Sequence, residues 1–200
     1  MNSKITLFEN IVKDYYNSPY AVAVDCCTHG LELCLRYENS DHIEVPKHTY
    51  LSVPMLASKL NITYSWKEES WEDFYYITDK IVDAAVYWKK NSYIKGTYFV
   101  LSFQFKKHLS LGRGGMILTD NEEAAIELKK MAYDGRDNNT GPWAEQNIET
   151  IGYHYYMTPE TAELGISKFQ AATDSVPKLW SYKDYPDLTK FKVFNNGTSK

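Results

Sequence analysis

Two lysines, Lys106 and Lys107, close an apolar run in the segment Ser102-Phe103-Gln104-Phe105-Lys106-Lys107-His108-Leu109-Ser110-Leu111-Gly112-Arg113-Gly114-Gly115. An amine at the end of a buried strand is partly desolvated, which lowers its pKa and makes it usable as a nucleophile. The same pattern also describes a basic hairpin loop, with the glycines allowing a tight return into the next strand. Asp83, in Ile81-Val82-Asp83-Ala84-Ala85-Val86, ends a second apolar run. A carboxylate there is either a satisfied structural acid or a partner for a protonated ring nitrogen. Asp25-Cys26-Cys27-Thr28-His29-Gly30 leads into a helix, where free N–H groups and the helix dipole favour an anion. Thr28 is then either a hydroxyl donor to that anion or simply the N-cap. Pro46-Lys47-His48-Thr49-Tyr50 offers Tyr50 as a stacking plate at a similar junction.

The elements that must hold these residues can be read from periodicity. Residues 4–17 predict an amphipathic helix through Ile5, Phe8, Ile11, Val12 and Tyr15, halted before Pro19. Strands are expected at 21–24, 42–45, 61–65, 74–77, 80–86, 98–103 and 115–119. Helices are expected over 31–37, 50–60 and 121–133, the last with acids in its first turn and lysines in its last. Residues 134–151 read as a long polar loop. Thr158-Pro159-Glu160 opens a final long helix, with proline at its first position. Alternating strands and helices argue for an α/β sandwich on a largely parallel sheet, with chemistry at the carboxyl ends of the strands. An amine, an acid, an anion cup and an aromatic ring gathered there are the set that pyridoxal phosphate (PLP) requires.

Bulk properties narrow the field further. Two hundred residues suit one compact domain, and a formal charge of −4 gives no electrostatic case for nucleic acid. The start lacks the apolar core of a signal peptide, and no 18-residue apolar run occurs, so no membrane partner is expected. Cys26, Cys27 and Cys34 lie too close in sequence for a bridge and give no metal framework. A reducing, cytoplasmic setting follows. The sequons at 138–140 and 196–198 are then accidental. The chain has 17 tyrosines, for which burial and interfaces are the only account.

With these motifs in hand, the sequence resembles the DegT/StrS family of PLP-dependent sugar aminotransferases. The family's lysine segment runs Ser-Phe-x-x-x-Lys-x-Leu-x-x-Gly-Glu-Gly-Gly, and the match puts Lys107, not Lys106, at the Schiff-base position. The resemblance implies that Ser102 contacts the phosphate and places Gln104 of the same segment among the cofactor contacts. It reads Asp83-Ala84-Ala85 as the acid paired with the ring nitrogen, Tyr50 as the stacking ring, and Cys27 and Thr28 as the phosphate turn. Downstream, Gly135-Arg136-Asp137 and Gly152-Tyr153-His154-Tyr155-Tyr156-Met157-Thr158 continue the match. There His154 stands for an asparagine that reaches the phosphate of the other subunit, which implies a homodimer with shared sites.

The implied fold is the large domain of the aspartate aminotransferase type (fold type I), over residues 1–176. Residues 177–200 are a short C-terminal arm or remnant of the small domain. The implied activity is transfer of an amino group, from glutamate by analogy, to a nucleotide-linked keto-deoxy sugar. Two rivals remain: a non-catalytic or PLP-binding-only dimeric homologue, and a sugar dehydratase. Dehydratases of the family replace the lysine by histidine, and His108 is one place off that register. Cys26-Cys27 replaces Ser-Gly, Val86 replaces Gln, and Arg113 replaces the Glu of Gly-Glu-Gly-Gly. Compared with the family, the stretch between Tyr64 and Asp83 is compressed and the small domain is mostly missing.

Overall fold

A computed structural model describes residues 3–137 and 140–195; both sequons include residues outside this range. The element order is α1 (Ser3–Tyr16), β1 (Tyr20–Val24), α2 (Cys27–Tyr37), β2 (His42–Pro46), α3 (Ser52–Leu60), β3 (Thr63–Lys67), β4 (Tyr75–Tyr76), β5 (Ile81–Asp83), β6 (Tyr98–Ser102), β7 (Gly115–Thr119), α4 (Glu122–Ala132), α5 (Pro159–Asp174) and α6 (Lys192–Asn195). Among the described residues, no helix is long and apolar enough to cross a membrane. All three cysteines are free.

Local chemistry sets the helix boundaries. α1 buries Ile5, Phe8, Val12 and Tyr16, one stripe at helical spacing. α3 stops where Asn61 turns left-handed at φ 56°. The Asn121 side chain caps α4 by accepting from the Ala124 N–H at 3.1 Å. Thr158 caps α5 with Pro159 following, as its motif predicts. α2 departs from expectation: its cap is Cys26, whose sulfur accepts from the His29 N–H at 3.4 Å. Thr28 lies within the first turn and keeps its hydroxyl for other partners.

Strands β1-β7-β6-β5-β4 form one sheet. β1, β5 and β6 run one way, and β7 and β4 run against them, so β5–β6 is the parallel pair. The sheet is mixed, but three of its four pairings are antiparallel, which corrects the largely parallel sheet expected: β7 returns antiparallel between β1 and β6, and β4 adds antiparallel to β5. β2 and β3 form a separate parallel pair, tied to the main sheet where the Glu44 N–H donates to the Ile77 carbonyl at 2.9 Å. The two faces alternate along each strand. Val22, Val24, Val100 and Ile117 meet α2, α3 and α4. Ala21, Ala23, Phe99, Leu101, Met116 and Leu118 meet α1 and α5. The result is a three-layer sandwich.

The register brings the site together. Val24 pairs with Gly115, and Gly115 with Ser102, so the ends of β1 and β6 and the start of β7 lie in one row. Asp83 pairs with Val100 one strand further. α2 starts directly over this row. A Cβ on Gly115 would sit 2.6 Å from the backbone of Cys26 and of Cys27. Gly115→Ala therefore forces α2 away from the sheet. Overpacking of this kind costs about 1–3 kcal/mol, and chemical denaturation should show that loss; an unchanged midpoint would mean the helix start is not packed this tightly.

Candidate active site

The opening lysines sit on a turn that extends the β6–β7 ladder. The Phe103 N–H donates to the Gly114 carbonyl at 2.9 Å and the Phe105 N–H to Gly112 at 3.1 Å. Gly112 takes φ +83°, which lets the chain reverse there. Phe103, Leu109 and Leu111 are buried and pin the turn to the core. Between them, the Lys107 N–H donates to the Gln104 carbonyl at 2.8 Å, and Gln104 Oε1 accepts from the Lys106 N–H at 2.9 Å. Lys106 is left exposed and Lys107 turned inward, half-buried. Gln104 thus builds the turn rather than presenting its amide oxygen to a ligand.

Lys107 Nζ has no hydrogen bond or ion pair among the described residues and lies over the Trp180 ring, 5.7 Å from its centroid. Burial lowers its pKa, and the negative charge of Asp83 pulls partly the other way. Asp83 is buried at the end of β5, and burial raises its pKa. Tyr75 Oη–H donates to its Oδ2 at 2.6 Å and the Ala85 N–H to its Oδ1 at 3.0 Å, both favouring the charged form. Amine and acid therefore feel each other's charge without forming a salt bridge.

The phosphate-turn residues take different roles. Cys27 is buried, its thiol directed at the Val100 carbonyl (3.7 Å) and pushed well up in pKa by burial, so only its backbone N–H is available. Thr28 Oγ1 lies 2.9 Å from Oγ of Ser52, the first residue of α3, so two helix starts meet at paired hydroxyls. Asp25 stands beside them between two cations. His29 Nδ1 donates to Oδ1 at 2.7 Å and Arg113 Nη2 to Oδ2 at 2.8 Å. Burial alone would lower the His29 pKa, but the bonds to Asp25 and Cys26 raise it to about 9. With His29 protonated, the group carries one net positive charge, suited to an anion. Arg113, which the motif does not explain, is thus Asp25's partner at the mouth of the cup.

Other expected contacts are placed less directly. Ser102, half-buried at the end of β6, accepts from the Gln104 N–H at 3.4 Å. Tyr50 is 56% exposed at the rim, whereas its neighbour Thr49 is buried and hydrogen-bonded to the Tyr75 hydroxyl. His154 is exposed, with Nδ1 2.9 Å from Asp134 Oδ1, and makes no hydrogen bond to the Lys107–Asp83 group. His108, the dehydratase alternative, is spent on the Ala172 carbonyl at 2.7 Å and on packing against Trp88.

Sequence reasoning missed Tyr75, Ser52, Trp180 and Tyr185. The last two belong to the C-terminal segment, which is laced across the site. The Asp73 N–H donates to the Trp180 carbonyl at 2.9 Å, the Tyr182 N–H to Trp71 at 3.1 Å, and the Leu188 N–H to Lys47 at 2.8 Å. His48 Nδ1 donates to the Tyr185 carbonyl at 2.9 Å. The Tyr185 ring packs 5.5 Å from Trp71, with its hydroxyl pushed up in pKa by burial and by Asp83. These bonds pair residues more than a hundred positions apart; the only local signal was the aromatic content of 177–200.

Residues 84–178 match the DegT/DnrJ/EryC1/StrS aminotransferase family. An uncharacterised protein of Methanocaldococcus jannaschii is 25% identical over 225 aligned residues, covering 86% of this chain and 58% of that protein. GDP-perosamine synthase of Caulobacter vibrioides is 29% identical over 86 residues, 43% of this chain and 22% of that enzyme. Among solved structures, the sugar aminotransferase CalS13 of Micromonospora echinospora aligns with a TM-score of 0.74 at 12% identity, covering 86% of this chain and 62% of that one. The fold is therefore the type I PLP-transferase fold, as expected. The chain spans less than two thirds of the length of these relatives.

The Asp25–His29 pair gives a direct test. The His29 pKa is raised above its ordinary value of 6.5, so its stabilising contribution is complete below about 6.5 and is lost as pH rises through about 9. NMR titration should place the His29 midpoint near 9, and Asp25→Asn should bring it down towards the ordinary value. A wild-type midpoint near 6.5 would contradict the pairing.

Proposed function

From the match of residues 84–178 to the DegT/DnrJ/EryC1/StrS aminotransferase family, we propose that this chain uses pyridoxal phosphate to move an amino group from an amino acid, glutamate, to a keto-deoxy sugar carried on a nucleotide. The observation that carries this reading is the half-buried Lys107 amine coupled to the buried Asp83 carboxylate without a salt bridge. The donor set fits the cofactor: an amine with no hydrogen bond among the described residues, an acid for a ring nitrogen, and a cationic cup of hydroxyls and helix N–H groups for a phosphate. When bound, pyridoxal phosphate supplies an electron sink for the carbanion formed at the donor's Cα.

The chain's residues do the rest. Lys107 Nζ, with its pKa lowered by burial, serves as the base that takes the proton from the donor's Cα. Asp83 holds the proton on the ring nitrogen. Thr28, Ser52 and the N–H groups opening α2 and α3 bind the phosphate, with Arg113 and His29 adding positive charge beyond Asp25. Ser102 and Tyr50 border this space from β6 and the start of α3. The molecule works as a homodimer, with the partner's His154 completing the phosphate contacts. The sugar-directed part of the reading rests on the relatives named as sugar aminotransferase and perosamine synthase.

Purified protein incubated with pyridoxal phosphate should develop the yellow absorbance of lysine-bound cofactor. Glutamate should then bleach it as the amino form of the cofactor accumulates. Lys107→Ala should abolish the absorbance and Lys106→Ala should retain it. Yellow protein that glutamate cannot bleach would favour the non-catalytic homologue, and colour surviving in Lys107→Ala would overturn the assignment.

A further inference from the structure

Asp83 carries a second layer of support beyond its direct hydrogen bonds. Thr49, 2% exposed in the middle of the β2–α3 connection, hydrogen-bonds to the Tyr75 hydroxyl. Tyr75, 4% exposed on β4, donates to Asp83 Oδ2 at 2.6 Å. A phenol has one proton. With that proton given to Asp83, Thr49 must be the donor to Tyr75, and the three groups form a one-way chain, Thr49 to Tyr75 to Asp83. Each bond polarises the next in a water-poor corner. Packing fixes the chain's geometry: the Trp71 ring lies 5.2 Å from the Tyr75 ring, and Trp71 Nε1–H is anchored on the His48 carbonyl at 2.7 Å.

We propose that Thr49 and Tyr75 are positioning residues that aim Asp83 and keep it ionised, so that it can hold a proton on the cofactor's ring nitrogen. The inference rests on the pyridoxal phosphate reading above. A buried acid with nothing to stabilise its charge would take up a proton and could not pair with a cationic ring. The other titratable groups bearing on Asp83 are Lys107 from the turn after β6, Cys27 from α2 and Tyr185 from the C-terminal segment. Of these, Lys107 supplies a charge but no hydrogen bond, and burial keeps Cys27 and Tyr185 neutral. Tyr75 is therefore the one side chain that donates to Asp83 among the described residues. The Thr49 role also changes how Pro46-Lys47-His48-Thr49-Tyr50 reads: the buried threonine, rather than the exposed tyrosine, is coupled to the acid.

The test uses the full chain and two readouts. In cofactor-free protein, carboxyl 13C titration of Asp83 should move further up in Tyr75→Phe and in Thr49→Val, while Thr49→Ser stays with wild type. Affinity for pyridoxal phosphate should fall roughly tenfold in Tyr75→Phe, the size expected for losing one hydrogen bond to a charged group. Thr49→Val and Thr49→Ser preserve the test if Tyr75→Phe does not fold. An unchanged Asp83 titration in folded Tyr75→Phe or Thr49→Val would overturn the relay even if the cofactor binds. A shifted titration in protein that never takes up pyridoxal phosphate would uphold the relay and count against the cofactor reading.

Discussion

The site depends on an amine and a carboxylate in one corner that feel each other's charge without a salt bridge. Burying either charge alone is costly, and the usual remedy is a direct salt bridge. Here Asp83 is fixed from behind by Tyr75 and the Ala85 N–H. Lys107 is fixed by a turn whose hydrogen bonds involve only backbone and Gln104. The turn fixes the Lys107 backbone, and the two hydrogen bonds fix the Asp83 carboxylate. Burial pushes both towards their neutral forms, and a ligand with a basic ring nitrogen and a carbonyl carbon would relieve both at once.

The sheet makes that arrangement possible. Because β1 and β6 end where β7 begins, the starts of α2 and of the lysine turn share one edge, and Asp83 is one strand away. Gly115 sets how closely α2 approaches, since its missing side chain is what lets the helix N–H groups come down onto the sheet. The cluster of Asp25, His29 and Arg113 then gives the cup a net positive charge. Substituting arginine for the acid expected at position 113 is coherent in this setting, because Asp25 needs a second cation beside a histidine it already holds.

Most of the frame was legible in the sequence because it follows from local rules. The amphipathic stripe of α1, the Thr158-Pro159 opening of α5 and the apolar runs of β6 and β7 all emerged where periodicity placed them. The choice of Lys107 over Lys106 came from the resemblance to the family's lysine segment; the turn leaves Lys107 half-buried and Lys106 exposed. Readings failed where periodicity does not say which side chain meets which, whether the partner is close in sequence or far along the chain. Thr28 is not the helix cap because the Cys26 sulfur reaches the His29 N–H first. Tyr75, Trp180 and Tyr185 lie in the compressed and C-terminal stretches, where no periodic pattern says which ring faces inward.

The most direct measurement is borohydride reduction of the protein after loading with pyridoxal phosphate, followed by peptide mapping of the modified lysine. The buried amine–acid pair predicts a single pyridoxyl group on Lys107, with Lys106 unmodified. Modification confined to Lys106 or spread over the surface lysines would contradict it.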